Sequence, residues 1–310
     1  MKLAVPDMIS NSYFPAEAAV ELGFFKAAGL DVSLELIFPV DKAYAALRDG
    51  AVDFVAGSAH SALAAFPEFR GVKLICAQAQ GMYWFLVMHA DLKAKRGDIS
   101  VVKGRSIGAA PWVDKGLRGL LAEAGIDIAR DEVTITPVPG AAPTPGAVVN
   151  FGLTAARALE ERKIDGFWAN GMGAEVAVRR GVGTVVLDVR RGDGPKNCFN
   201  YTAATIATSD ALIARAPDQA AAAVRAIVAT QAALKADVTR ATEVGEKLFP
   251  PPEAALIADL IRRDLPYYNA TLSPDFIASM TEFARKQNIL DSEVAYEQVV
   301  AAQFAPLWRG

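Results

Sequence analysis

Residues 27–32 read AAGLDV and residues 123–128 read EAGIDI. The two hexamers close the same series of elements. In the first, apolar residues at helical spacing run through AEAAVELGFFKAAG, Gly29 falls where a helix ends, and the strand-like DVSLELIF follows. In the second, GLRGLLAEAG is helical, Gly125 stops it, and VTITPV is a strand. A further pair follows in the same order: LRDGAVDFVAGSAHSAL from Leu47 and LEERKIDGFWANGMGAEVA from Leu159. Both end a helix, place an acid (Asp53, Asp165) at the entry to a short apolar strand, and open into small or polar residues. A chain of 310 residues that repeats an α/β unit in this way is expected to build two similar α/β lobes.

The strands LAVP, SLELIF, DFVAG and KLICAQ alternate with helices, as do SIGAA, VTITPV, GFWAN and TVVLDV. Such alternation predicts two mainly parallel sheets with flanking helices and right-handed crossovers. After Tyr201 the chain begins with one strand and continues as Ala-rich helix, broken at Pro250-Pro251-Pro252 and at Leu272-Ser273-Pro274. A tail of four or five helices without matching strands is expected to pack back on the first lobe. The crossings are then expected near Val87 to Asp91 and Thr202 to Ala207, giving lobe 1 as residues 1–87 plus 205–310 and lobe 2 as residues 88–204.

Composition narrows the function. With 52% hydrophobic and 22% charged residues and a net charge of −3, the chain can bury a large core. It shows no Lys/Arg block of the kind that binds nucleic acid. No segment has the roughly 18 consecutive apolar residues of a membrane span. Met1-Lys2 runs straight into the first strand, so the chain is expected either to remain in the cytoplasm or to be periplasmic or secreted after removal of a signal. Cys76 and Cys198 stand alone in apolar runs, which predicts buried free thiols. His60 and His89 lack partners at ligand spacing, so no metal site is expected.

Ligands of parallel sheets gather at the carboxyl ends of the strands, which selects the candidate residues. After the first strand come Ser10, Asn11, Ser12 and Tyr13, whose hydroxyls and amides could meet an anion at a helix N-terminus; a plain capping role for Ser10 or Ser12 is the alternative. After DFVAG come Ser58 and His60, where Gly57 could admit a ligand to the backbone and a structural histidine is equally consistent. After SIGAA come Ala110 and Trp112, with Pro111 expected at an early helical position and Trp112 over an apolar group or in the core. After GFWAN come Asn170 and Gly171. The GxG there lacks the third glycine of a dinucleotide fingerprint, so no cofactor is expected. Gln80, Tyr83 and Trp84, and Asn200 with Tyr201, precede the two crossings and are expected at a hinge, or else in sheet packing. No candidate loop contains an Arg; Lys115 and Arg118 are the nearest cations. Asp53 and Asp165 lie at strand entries, where a turn or cap role suffices.

SNSYFPAEAAVELGFFKAAGLDVSLELI, LRDGAVDFVAGSAHSAL, VVKGRSIGAAPWVDKGLRGLLAEAGID and TAATIATSDALIARAPDQAAAAVRAIVATQAAL together resemble the ABC-transporter solute-binding proteins of the nitrate, sulfonate and taurine type, the NMT1/THI5-like family. The resemblance implies the two-lobed periplasmic binding protein fold of type 2, with a hinge that closes over a ligand, and a membrane permease as partner of a monomeric chain. It implies capture of a small organic anion or heteroaromatic compound; the aromatic residues Tyr13, Tyr83, Trp84, Trp112 and Tyr201 favour a planar or apolar body. The same superfamily includes a pyrimidine-precursor synthase with a dense cysteine cluster, where this chain has only Cys198 in KNCFNY, and some decarboxylases. An enzyme on this scaffold, or a ligand-sensing regulatory module, is the rival expectation.

Overall fold

The structure is a computed structural model that describes residues 1–141 and 150–309. The chain divides into two units, Met1–Gln80 with Thr202–Gly310, and Gly81–Tyr201. The divisions after Gln80 and Tyr201 lie just ahead of those expected after residues 87 and 204. Val87 sits in the middle of a strand, and Ala204 opens another.

Unit 1 contains β1 (Lys2–Val5), α1 (Phe14–Glu21), α2 (Phe24–Ala27), β2 (Ser33–Leu36), α3 (Val40–Arg48), β3 (Phe54–Ser58) and β4 (Val72–Ala79). Unit 2 contains β5 (Phe85–His89), β6 (Ser106–Ala109), α4 (Val113–Glu123), β7 (Thr134–Thr136), α5 (Phe151–Glu160), β8 (Gly166–Ala169), α6 (Gly171–Arg179) and β9 (Gly183–Asp188). The chain then returns to unit 1 as β10 (Ala204–Ser209), α7 (Asp210–Arg215), α8 (Pro217–Ala236), α9 (Arg240–Leu248), α10 (Pro251–Asp264), α11 (Pro274–Lys286) and α12 (Tyr296–Val299).

Each unit has one five-stranded sheet, in the orders β2-β1-β3-β10-β4 and β7-β6-β8-β5-β9. β1 pairs parallel with β2 and β3, while β10 runs antiparallel between β3 and β4. β6 likewise pairs parallel with β7 and β8, and β5 runs antiparallel between β8 and β9. In each sheet one strand opposes the other four, and it is the first strand after the chain crosses into that unit. The loops after β1, β3 and β4 therefore leave one edge of the first sheet, and those after β6, β8 and β9 leave one edge of the second.

The repeat read from the hexamers has an atomic basis. Gly29 and Gly125 take positive φ values of 85° and 76°, which glycine adopts without a Cβ penalty. Leu30 N donates to Phe25 O and Ile126 N to Leu121 O, both at 2.9 Å. The left-handed glycine thus turns the chain back on the helix end and satisfies its last carbonyls. Both hexamers also deliver an aliphatic residue, Leu30 or Ile126, into the core.

The returning tail completes unit 1. Alanines of α8 let it lie close against α1, α2 and β4, and Gln231 Nε2 on its buried face donates to Ala77 O and Gln78 O. Ser273 caps α11 by accepting from Phe276 N, with Pro274 in the first turn. Trp308 Nε1 donates to Ile75 O. Among the described residues no helix is long and apolar enough to cross a membrane.

Candidate functional site

In unit 1 the loop after β1 is almost wholly buried, and Ser10, Asn11, Ser12 and Tyr13 are each under 5% exposed. Ser10 Oγ accepts from Ser12 N at 3.0 Å, and Asn11 Nδ2 donates to Asp264 Oδ2 of α10 at 2.6 Å. Neither serine caps α1, because its N-cap residue is Tyr13, which makes no side-chain cap bond. The helix's early amide Ala16 N is met instead by Gln78 Oε1, from β4. Ser12 Oγ has no partner among the described residues. It is a buried hydroxyl in the loop that follows β1.

Behind this loop lies Glu17, a fully buried carboxyl on α1 with neither oxygen hydrogen-bonded among the described residues. Burial pushes its acid well above the ordinary carboxylate range, and the charges of Asp7 and Glu21 push in the same direction.

The loop after β3 is more structural than its small residues suggest. Gly57 lies within the strand, and a Cβ on it would meet the Tyr44 ring at 3.0 Å, so the glycine makes room for Tyr44 and not for a ligand. Tyr44 Oη donates to Ser58 O at 3.1 Å, and Ser58 Oγ and Ser61 Oγ are 2.5 Å apart. His60 is fully buried, 3.0 Å from Thr202 Oγ1 by its Nδ1 and edge-on to the Phe283 ring at 5.5 Å. Gln80 Nε2 donates to Asn269 O and Thr271 O, and Gln80 N to Tyr267 O. This amide pins the segment before α11 to the end of β4.

In unit 2 the loop after β6 carries a distortion. Trp112 has φ 68° and ψ −35° and is the N-cap residue of α4, a conformation that bulky L-residues rarely adopt. The helix begins at Val113, so Pro111 lies outside it and not at the expected early helical position. Ala110 O accepts from Asp114 N at 3.0 Å. Arg118 is paired with Asp114 on the same helix at 2.9 Å.

The loop after β8 starts α6. Asn170 Oδ1 accepts from Gly173 N at 2.9 Å and caps the helix, whose first residue is Gly171. A Cβ on Gly173 would lie 2.5 Å from Gly152 O, and one on Gly152 would lie 2.6 Å from Asn170 Oδ1. Gly152 and Gly173 therefore serve the close approach of α5 and α6.

The residues around the crossings form an aromatic group. Tyr83 and Trp84 have centroids 4.7 Å apart, Trp84 and Trp168 6.1 Å, and Arg190 lies 5.4 Å above the Tyr83 ring. A Cβ on Gly116 of α4 would come within 2.9 Å of Trp84, so that ring is seated on the helix. Tyr201 hydrogen-bonds Glu123 and Cys198, and burial above all pushes its phenol upward. Asn200 closes the short 3-10 turn 196–200. Phe199 O accepts from Met82 N, and the Phe199 ring covers Gly81. Cys76 and Cys198 are buried and form no disulfide, as expected. No group of three or more metal-ligating side chains occurs among the described residues.

The model of the family described as NMT1/THI5 like matches residues 11–238. This chain belongs to that family. A protein of Bordetella bronchiseptica RB50 has the same fold at 19% identity, with 98% of this chain and 95% of that chain covered and a TM-score of 0.78. A putative sulfonate ABC transporter component of Methylobacillus flagellatus KT, described as a periplasmic sulfonate-binding protein, covers 99% and 92% at 14% identity with a TM-score of 0.67. A mutant of the desulfurization enzyme DszB, in complex with biphenyl-2-sulfinic acid, covers 98% and 97% at 16% identity with a TM-score of 0.66. A comparison with curated proteins finds no match. The two-lobed periplasmic binding protein fold expected for an NMT1/THI5-like chain is thus the fold it has, with the refinement that each sheet is mixed.

Two residues escaped the reading of the sequence. β9 runs in the same direction as β6 and β8, so its following turn 189–191 is also a strand-end loop and brings Arg190 to the aromatic group. The candidate loops after β1, β3, β6 and β8 contain no Arg, and Arg190 lies in a further strand-end loop outside them. DVRRGDG reads as a charged surface turn, and nothing in it signals that Arg190 is 6% exposed. Trp168 was absorbed into the apolar strand GFWAN.

Proposed function

We propose that this NMT1/THI5-like chain is the solute-binding component of an ABC importer and that it takes a small organic anion with a planar body. The observation that carries the reading is the group at the carboxyl edge of the second sheet. There the buried rings of Tyr83, Trp84 and Trp168 pack together, and Arg190 brings a guanidinium beside them. Arginine recognises carboxylate, sulfinate or sulfonate oxygens through its planar donor fork, and aromatic rings hold a flat apolar body beside it. In the first sheet the loop of Ser10, Asn11, Ser12 and Tyr13 stands at the carboxyl end of β1, and the Ser12 hydroxyl has no partner among the described residues. The sulfonate named for one fold relative and the aryl sulfinic acid bound to another are of this chemical class.

Binding alone is sufficient for this role. A ligand that prefers one conformation of the protein shifts the population toward it. Release to a membrane permease then requires no bond to be made or broken. The scaffold also serves an enzyme, which gives catalysis the standing of a second reading. In this chain His60 is hydrogen-bonded to Thr202 and packed on Phe283, as a structural histidine is. Thermal-shift screening and calorimetry with aryl and alkyl sulfonates, sulfinates, aromatic carboxylates, nitrate and pyrimidines test the proposal. Mass analysis of the bound compound after incubation separates capture from turnover.

A further inference from the structure

Trp168 is the third of the four residues of β8, two positions before Asn170, and lies opposite Ala109 of β6 and Leu86 of β5. Its ring is fully buried, and its indole N–H has no acceptor among the described residues. A buried indole usually finds a partner for its single donor. Leaving such a donor unbonded away from water destabilises the fold, because its desolvation is not offset. The chain contains a contrasting case, since Trp308 Nε1 donates to Ile75 O at 2.8 Å. The second sheet thus carries an unsatisfied donor at the edge where its ligand loops leave, on a ring 6.1 Å from that of Trp84. Trp84 is itself seated on Gly116, and the helix that carries Gly116 is entered through the strained Trp112.

We propose that the Trp168 indole N–H is a ligand-binding group, and that the ligand presents a hydrogen-bond acceptor, a carbonyl or an anionic oxygen, at the edge of a planar body lying along Trp84. This rests on the binding function proposed above and specifies the ligand further. An all-apolar planar compound leaves the donor unsatisfied and is rejected. A compound carrying an acceptor at that edge is selected, because a site built to hydrogen-bond its ligand discriminates strongly against an analogue that lacks the partner. Arg190 supplies charge and Trp168 supplies direction.

The test replaces Trp168 by β-(3-benzothienyl)alanine, which keeps the two fused rings and puts sulfur in place of the N–H; Trp168→Phe serves as a second variant. The probes are 4-toluenesulfonate, benzoate, nicotinate and uracil, scored first on the wild type. The expected result is that a probe which stabilises the wild type binds the sulfur variant at least tenfold more weakly, while the unliganded variant melts at or above the wild-type temperature. Wild-type affinity in the sulfur variant overturns the proposal and leaves the binding function standing. A lower melting temperature of the unliganded variant also overturns it, because the N–H is then bonded within the fold through water. If no probe stabilises the wild type, the binding function itself fails, and the unliganded melting temperature still decides whether the Trp168 donor is satisfied by the fold.

Discussion

The carboxylate of Asp165 accepts the backbone N–H of Ser106 at 2.8 Å while Asp165 N donates to Ser106 O at 2.9 Å, a two-way bond that ties the entry of β8 to the entry of β6. Asp53 does the same for Lys2 at the entry of β1, with both distances 2.9 Å. The two acids are therefore register locks of their sheets, at the ends away from the candidate loops. Replacing either by Ala should cost about 1.5–3 kcal/mol of stability, the range of a hydrogen bond to a charged acceptor, and leave ligand affinity unchanged. Denaturant melts of the two variants, combined with calorimetry, check both halves.

Glu17 sets a pH dependence. Its folded-state acid is weaker than in the unfolded chain because burial, aided by Asp7 and Glu21, disfavours the anion. The folded protein then holds more protons than the unfolded one above the usual carboxylate pKa, so this group lowers stability as pH rises from about 4.5 toward its raised value. Glu17→Gln should raise the melting temperature at pH 7 to 8 and change it little at pH 4. A melting profile of wild type and variant across that range shows the effect.

Gly173 faces Gly152 O at 2.5 Å from where its Cβ would stand. The obstacle is backbone, which cannot swing aside. Gly173→Ala should destabilise unit 2 by about 1–3 kcal/mol, the usual cost of overpacking. Hydrogen exchange should show the loss in α5 and α6 and not in α8.

Arg190 is expected to meet the anionic end of the ligand. Arg190→Gln should weaken binding of an organic anion roughly 10–100-fold, as the loss of a charge-assisted hydrogen bond implies, whereas Lys115→Gln on α4 should change it little. Isothermal titration with one sulfonate or carboxylate ligand measures both.

The repeat made much of this fold legible in one sequence. Gly29 and Gly125 could be read as helix stops, and Asp53 and Asp165 as strand-entry residues, because backbone conformation and local capping leave local signals. β5 did not show itself. FLVMH lies at a crossing and is a short apolar run with no alternation to distinguish a strand from a linker. The candidate site was legible as loops and less so as side chains. Ser12 and Trp84 could be named as candidates from their positions after a strand and before a crossing. Arg190 and Trp168 could not, because their place in the candidate site depends on which strands run in the same direction and on which donors remain unbonded. Those are properties of pairing across long stretches of chain. Gly57 misled for the same reason: the Tyr44 ring that requires it comes from another element.

The proposed role is capture of a planar organic anion without conversion. It is tested most directly by calorimetric titration of the wild-type chain with aryl sulfonates, sulfinates and aromatic carboxylates, followed by mass analysis of the recovered ligand. One-to-one binding of at least one of these compounds, and its recovery unchanged, is the expected result. Recovery of a desulfurised or decarboxylated product, or failure of every compound to bind, would contradict it.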